Sequence, residues 1–447
     1  MRYDDVFAII NRKLRADRVN LPNLEDFQMR GIPSLITDIR KKVFTEVARM
    51  AYNGDDYTKA EDLPYIIVPG DQPLHRESVF LERAIAGERV RLAMGLSVRS
   101  VQTRSLLTEG MDHAAIAQQY YEPPLINIIP YACHACPTNQ YKVTENCQNC
   151  LAASCQQVCP RDAISFVNGK SFIDPGKCIK CGKCAQACSY NAIIHLERPC
   201  QAACGMDAIG ADENGKAIIN QDKCVSCGQC LVSCPFGAIV DKGQIYQVVR
   251  SIMEGDEVYA IAAPAFASQF GKNVTVGRLR AAIQALGFKD MVEVAVGADI
   301  CTVEEARDFV EKVPAEQPYM ATSCCPAWHA MVHKLFPAQA KNISMTLTPM
   351  VFTARMVKKE HPNAKIVFVG PCAAKKLEAI RENIRSDVDF VLTFEELMGM
   401  FEAREVNFED LPEVGAADEG TAAGRGFAVA GGVAAAVVEV VHETHPD

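Results

Sequence analysis

Sixteen of the twenty cysteines in this chain fall in one stretch, between Cys133 and Cys234. A window so dense in thiols is held by disulfides or by metal rather than by an ordinary apolar core. The N-terminus, MRYDDVFAII, carries acids where an export signal carries bases, and no cleavage site follows. The longest apolar run, GFAVAGGVAAAVVEVV, is broken by Glu439 and is too short and Gly-rich to span a bilayer. The expected location is therefore the cytoplasm, where disulfides are disfavoured and metal ligation is the default. A net charge of −9 argues against nucleic acid or an anionic membrane as partner.

Two cysteine runs share one spacing: Cys178-x2-Cys181-x2-Cys184-x3-Cys188 and Cys224-x2-Cys227-x2-Cys230-x3-Cys234, the last followed by Pro235. A third, Cys147-x2-Cys150-x4-Cys155-x3-Cys159, is the same run with two extra residues. Three thiolates on one tight loop grip three corners of a 4Fe–4S cube, and the fourth ligates the neighbouring cube. Zinc sites use separated C-x2-C pairs instead. The region resembles the two-cluster ferredoxins. The exchange rule assigns one cube to Cys147, Cys150, Cys155 and Cys188, and a second to Cys178, Cys181, Cys184 and Cys159. Cys204 completes a third with Cys224, Cys227 and Cys230. Cys133 and Cys136, in YACHACP, are left with Cys200 and Cys234, which together make a fourth; the plainer alternative is that these four are quiet, buried thiols. His134 is a possible substitute ligand, although loop histidines are more often solvated.

Cysteine content and periodicity divide the chain into three parts. Residues 1–125 lack cysteine and read as helical: LITDIRKKVFTEVARMAY sets Leu35, Ile36, Ile39, Val43, Val47 and Ala51 at helical spacing, and LERAIAGERVRLAMGL repeats the pattern. Docking or packing is the expected role. Residues 126–245 hold the α+β ferredoxin-like clusters. From 246 to 447, short apolar runs (VYAIAAPAF, VEVAVGAD, YMATS, KIVFVGP, DFVLTFEE) alternate with helical patterns, which argues for a parallel, doubly wound α/β domain. Ligands in such sheets bind beyond the carboxyl ends of strands. Cys324, Cys325 and Cys372 fall there.

TSCCPAW, around Cys324 and Cys325, and GPCAAKKLE, residues Gly370–Glu378, resemble two cofactor-binding motifs of the FeFe-hydrogenases, most of all the group B branch. APAF, GADICTVEEARDF, LTPM and FAVAGGV agree, and the resemblance covers about residues 126–447. It implies an H-cluster, a 4Fe–4S cube linked to a two-iron unit with CO, cyanide and a dithiolate, inserted by maturation proteins. It implies reversible interconversion of H2 with protons and electrons, the electrons passing through the 4Fe–4S clusters to or from ferredoxin or a similar carrier. By motif position Cys325 and Cys372 ligate the cube, Cys324 donates protons, and Lys375 bonds an iron-bound cyanide. Glu305, Asp308, Glu378 and Thr348 make the proton path, and Ala263 and Pro264 shape the pocket. Gly370 stands where the better-known branch has Met, Asp308 replaces a Glu, and Cys301 has no family role. The family's C-terminal Cys-x3-Cys motif does not occur before Asp447, so the chain reads as C-terminally truncated. The alternative functions are an iron–sulfur assembly factor, a relative without the two-iron unit, and a hydrogen sensor or electron-transfer subunit, whose sequence would look much the same.

Overall fold

The computed structural model describes residues 34–114, 123–271, 274–380, 387–415 and 420–445. Parts of the expected N-terminal helical region, residues 1–33 and 115–122, lie outside them. Helix α1, Leu35–Tyr52, starts at Ser34 in a capping box with Thr37. Its periodic positions Val43, Val47 and Ala51 are buried, with Phe44 and Ala48 beside them, while Leu35 is exposed. LERAIAGERVRLAMGL contributes most of a second helix, Val79–Ala93, capped by Ser78.

The chain divides into two compact units, one made of residues 130–224 and 229–239 and the other of the remaining described residues. In the smaller unit the strands are three or four residues long. Gln140–Val143 pairs antiparallel with Ile193–Leu196, and two hairpins join Ile164–Val167 to Lys170–Ile173 and Ile209–Ala211 to Ala217–Ile219. One of its apolar clusters is built from only Cys155, Ile164, Cys184 and Ile193 and their half-buried neighbours.

The larger unit holds a four-stranded parallel sheet. Its strands are β1 (Val258–Ala262), β2 (Asp290–Glu293), β3 (Lys365–Gly370) and β4 (Phe390–Thr393), in the order β2-β1-β3-β4. β1 is buried along its whole length, as an apolar run in a doubly covered sheet requires. Helices α2 (Val294–Lys312), α3 (Pro326–Leu335) and α4 (Pro349–Glu360) follow β2, α5 (Ala374–Ala379) follows β3, and α6 (Phe394–Ala403) follows β4. Two of the strand expectations are corrected. VEVAVGAD is strand only to Glu293 and then turns into α2, because an apolar run buried on all sides carries no period to separate strand from helix. YMATS forms a single bridge, Ala321 to Ile343.

The strand order reverses between β1 and β3, the place where doubly wound sheets open a crevice for ligands. APAF leaves β1 there, and GPC leaves β3. On the same unit α1 packs against α6 so closely that a Cβ on Gly399 would lie 2.5 Å from the Phe44 Cβ. No helix among the described residues is long and apolar enough to cross a membrane.

Candidate functional site

Four short loops in the cysteine region repeat one conformation. The residue two after the first cysteine of each run is left-handed: Ala135 (φ 48), Asn149 (φ 50), Lys180 (φ 59) and Ser226 (φ 53). The residue three after the last cysteine is left-handed as well: Asp162 (φ 46), Asn191 (φ 50), Asp207 (φ 47) and Gly237 (φ 57). Non-glycine residues held this way cost roughly 1–3 kcal/mol each, so the repetition marks a shared purpose. At the second set the backbone N–H closes a turn onto the cysteine carbonyl: Asp162 to Cys159, Asn191 to Cys188, Asp207 to Cys204 and Gly237 to Cys234. The next N–H aims at the sulfur, from Ala163 to Cys159 (3.3 Å), Ala192 to Cys188 (3.4 Å) and Ala208 to Cys204 (3.4 Å). Such donors stabilise thiolate ligands.

The two hairpins extend the repeat. Ser171 donates its N–H to Cys147 Sγ, and Ala217, at the matching place, donates to Cys133 Sγ, both at 3.4 Å. Asp174 and Asn220 also correspond, each donating its N–H to an alanine (Ala163, Ala208) and accepting from the next cysteine (Cys178, Cys224). Cys133 and Cys136 are thus the head of a run whose tail is Cys200 and Cys204. The first run, its hairpin and the second run, residues 147–188, are threaded between head and tail.

All twenty cysteines are free thiols. Cys147, Cys150, Cys155 and Cys188 line one cavity of about 310 Å3, counting its mouth, and Cys159, Cys178, Cys181 and Cys184 line another of about 330 Å3. Burial pushes the Cys200 thiol up to about 11, with Cys234, Cys133 and Cys136 adding to it and the nearby Arg198 opposing. These four therefore share one neighbourhood. Among the described residues no three His, Cys, Asp or Glu groups are set for a single metal ion, whereas four thiols around a space suit a cube. His134 is stacked on Phe236, ring centroids 4.1 Å apart.

At the sheet crevice, Cys325 is the N-cap residue of α3 and is exposed, while Cys324 is half-buried. Burial pushes the Cys324 thiol up, against the pull of Lys375. Burial also raises Cys372, with the Ala374 N–H and Lys375 opposing and Cys325 adding to it. Lys375 Nζ donates to the Cys324 carbonyl (3.0 Å) and to Glu378 Oε2 (2.6 Å). Burial works against the Lys375 charge, but Glu378 outweighs it and holds the ammonium above its usual range. Glu378 is 1% exposed, and its other oxygen accepts from the Thr348 hydroxyl. Glu305 is fully buried and burial pushes its carboxyl up to about 7, while Ser344 and the Ser323 N–H pull modestly the other way. Asp308, one turn on, pairs with Lys312 at 2.8 Å. Ala263 donates its N–H to Val369 (2.8 Å), and Pro264 opens a single 3-10 turn beside it.

Residues 256–446 match the iron-only hydrogenase large subunit, C-terminal domain, and residues 172–194 and 217–240 match a 4Fe–4S binding domain. The chain is 33% identical over 303 residues to the periplasmic Fe-hydrogenase large subunit of Nitratidesulfovibrio vulgaris, covering 63% of this chain and 69% of that one. The chain belongs to the iron-only hydrogenase family. It is also 30% identical over 344 residues to iron hydrogenase 1 of Clostridium pasteurianum, covering 69% of this chain and 58%, less than two thirds, of the relative. A cytosolic Fe–S cluster assembly factor of Yarrowia lipolytica is 31% identical over 175 residues, 34% of this chain and 35% of that one.

In this hydrogenase-family chain the crevice gathers Cys324, Lys375, Glu378 and Thr348 into one bonded network, and Glu305 acts on Cys324. Asp308 stands apart from that network, in its own ion pair. Cys301, one turn before Glu305 on α2, is 1% exposed, and burial raises its thiol far above the usual range, with Glu305 and Cys324 next in effect. Two features escaped the sequence reading. Phe368 explains Gly370: a Cβ there would meet the Phe368 ring at 2.5 Å, and Lys375 Nζ lies 5.8 Å from that ring's centre. Lys376 is fully buried and donates to Asp241 (2.7 Å), the Lys242 carbonyl (2.6 Å) and Glu396 (3.0 Å). Burial opposes the Asp241 charge, but Lys376 prevails and holds that carboxyl low, while burial pushes Glu396 up. Glu396 also closes the capping box with Thr393 at the start of α6, so Lys376 ties α5 to α6. The resemblance of GPCAAKKLE to a hydrogenase motif flagged Lys375 and Glu378; nothing local flagged the partners of Lys376.

Proposed function

We propose that this chain is the catalytic, electron-wired part of a hydrogenase that interconverts H2 with two protons and two electrons. The observation that carries this reading is the bonded network of Lys375, Glu378, Thr348 and the Cys324 loop at the switch point of the sheet, beside Cys325 and Cys372. The donor set fits part of the H-cluster: Cys325 and Cys372 are two of the four thiolates a cube takes, and Lys375 is a buried ammonium suited to an anionic group. When bound, that group supplies the metal centre at which hydrogen is formed or split. Cys325 and Cys372 would give thiolates to its cube, and Lys375, anchored by Glu378, would donate to its anionic side. The Cys324 thiol, kept protonated by burial, gives or takes a proton at Sγ. Glu305, near neutrality, accepts and returns that proton at ordinary pH, and Asp308 passes it toward solvent. Thr348 fixes the Glu378 carboxylate that holds Lys375. Ala263 and Pro264 wall the pocket.

Four 4Fe–4S cubes, when bound, would supply one-electron storage and transfer. Their ligands are Cys147, Cys150, Cys155 and Cys188; Cys178, Cys181, Cys184 and Cys159; Cys224, Cys227, Cys230 and Cys204; and Cys133, Cys136, Cys200 and Cys234. The loops of Cys227 and Cys372 lie close together, since a Cβ built on Gly228 would be 3.9 Å from the Ala373 Cβ. A ferredoxin or similar one-electron carrier is the outside partner, in the cytoplasm, and maturation proteins install the H-cluster.

Methyl viologen-linked H2 uptake and hydrogen–deuterium exchange by the complete, matured protein test the reading, with abolition by Cys324→Ser as the expected control. Cofactor-loaded protein without either activity would overturn it. That outcome would favour the second reading, a non-catalytic iron–sulfur protein, supported by the resemblance to the Yarrowia assembly factor. The Lys375–Glu378–Thr348 network favours the enzyme, because a relative lacking the two-iron unit has no anionic ligand for that ammonium.

A further inference from the structure

Residues 126–241 contain two copies of one plan. In the inner copy, an outer strand (Gln140–Val143) is followed by a cysteine run, a hairpin, a second run and a closing strand (Ile193–Leu196). In the second copy the outer pair is Ile126–Ile128 with Ile239–Asp241, and the whole inner copy is spliced into its first run, between Cys136 and Cys200. Cys155 and Cys200 correspond, each the third cysteine of its run and each buried. The residue two before them differs: Ala153 in the inner copy, Arg198 in the outer one.

Arg198 sits at the splice and is only 2% exposed. Its guanidinium donates to the carbonyls of Cys136 (3.0 Å), Gly210 (2.7 Å) and Gly215 (2.7 Å). All of these acceptors are neutral, and among the described residues no carboxylate pairs with it. A guanidinium stays charged at any ordinary pH. A buried charge needs an opposite charge nearby, and none of its bonded partners supplies one. A 4Fe–4S cube held by four thiolates carries net negative charge, and the cysteine loop that Arg198 grips belongs to such a set.

We infer that Arg198 is the built-in counterion of the cube on Cys133, Cys136, Cys200 and Cys234, and that it sets this cube at a more positive reduction potential than its inner-copy counterpart on Cys147, Cys150, Cys155 and Cys188. Reduction adds one negative charge to a cube, and a fixed cation in a poorly polarisable surrounding stabilises the reduced form. The consequence for the wire is an electron-holding station in the outer copy. The inference rests on the four-cube assignment in the proposed function but not on hydrogen turnover.

The test is an EPR-monitored redox titration of the anaerobically reconstituted full-length chain, with iron content measured alongside. It compares the parent with Arg198→Gln, Arg198→Lys and Cys136→Ser. The parent is expected to show one cube titrating more positively than its counterpart, and Cys136→Ser to remove that wave. Arg198→Gln is expected to keep its iron and shift the wave negative, by about a tenfold change in the reduced-to-oxidised ratio, which is about 59 mV for a one-electron couple. Arg198→Lys, which keeps the charge, is expected to retain most of the positive potential. An unshifted wave in Arg198→Gln would overturn the inference. So would loss of a cube's worth of iron in Arg198→Gln, which would make the arginine a structural clamp, or survival of the most positive wave in Cys136→Ser. Because the readout is reduction of accessory cubes, absence of hydrogenase activity leaves it intact.

Discussion

Sealed from water, the Glu305 carboxyl keeps its proton until about pH 7, because burial disfavours its charged form. In the unfolded chain it ionises near 4.5. Between those values the native state holds more protons than the unfolded one, so the contribution of Glu305 to stability falls as pH rises, by roughly 3 kcal/mol in all. Glu305→Gln removes that dependence. In anaerobic urea unfolding the variant should equal the parent near about pH 4 and exceed it by up to about 3 kcal/mol near about pH 8. Hydrogen turnover should fall by about 10²–10⁴-fold, the usual range for losing a positioned acid–base group. Residues of this kind were legible in sequence through their motifs: Cys324, Lys375 and Glu378 come from two short stretches, and the Lys375–Glu378 bond spans a single helical turn. Lys376, its neighbour, was not, because its carboxylate partners Asp241 and Glu396 come from distant parts of the chain. Gly370 showed as a departure from the family pattern, but its cause, the Phe368 ring, needed three dimensions.

Among elements, the parallel strands were legible where an apolar run is bounded by turn residues, as in KIVFVGP and DFVLTFEE. They were misread where the run continues into a buried helix, as at Glu293–Val294. The cysteine runs were visible as strings and counting put Cys136 and Cys200 on one cube, but the nested copy was not visible, since insertion of a whole module hides that Cys133–Cys136 and Cys200–Cys204 form one run. Only the repeated left-handed residues and the matched Ser171 and Ala217 bonds restore it. The N-terminal helix shows how packing decides a role that sequence leaves open. α1 lies on α6 with Gly399 against the Phe44 backbone, an approach that leaves no space for a side chain. Gly399→Ala must push the helices apart, and the expected loss is about 1–3 kcal/mol, read from the midpoint of denaturant unfolding. An unchanged midpoint would mean that α1 is only loosely docked.

At the scale of the whole molecule, the two units owe their stability to different things. The sheet unit is organised around a large apolar core that includes Val258, Ile261, Val367 and Leu392. The cysteine unit, with its small apolar clusters and its strained loops, depends on what its thiols bind. Stripping iron with a chelator under reducing conditions should therefore abolish hydrogen-exchange protection across residues 130–239 and leave β1 to β4 protected. Uniform loss across both units would refute that division. Hydrogen chemistry itself makes one further demand, on the crevice where Cys325, Cys372 and Lys375 meet. Infrared spectroscopy of the complete, matured protein asks the question directly. Absorption bands from iron-bound carbon monoxide and cyanide are expected, perturbed when Lys375 is replaced by Gln. A fully iron-loaded protein without such bands would contradict the hydrogenase reading.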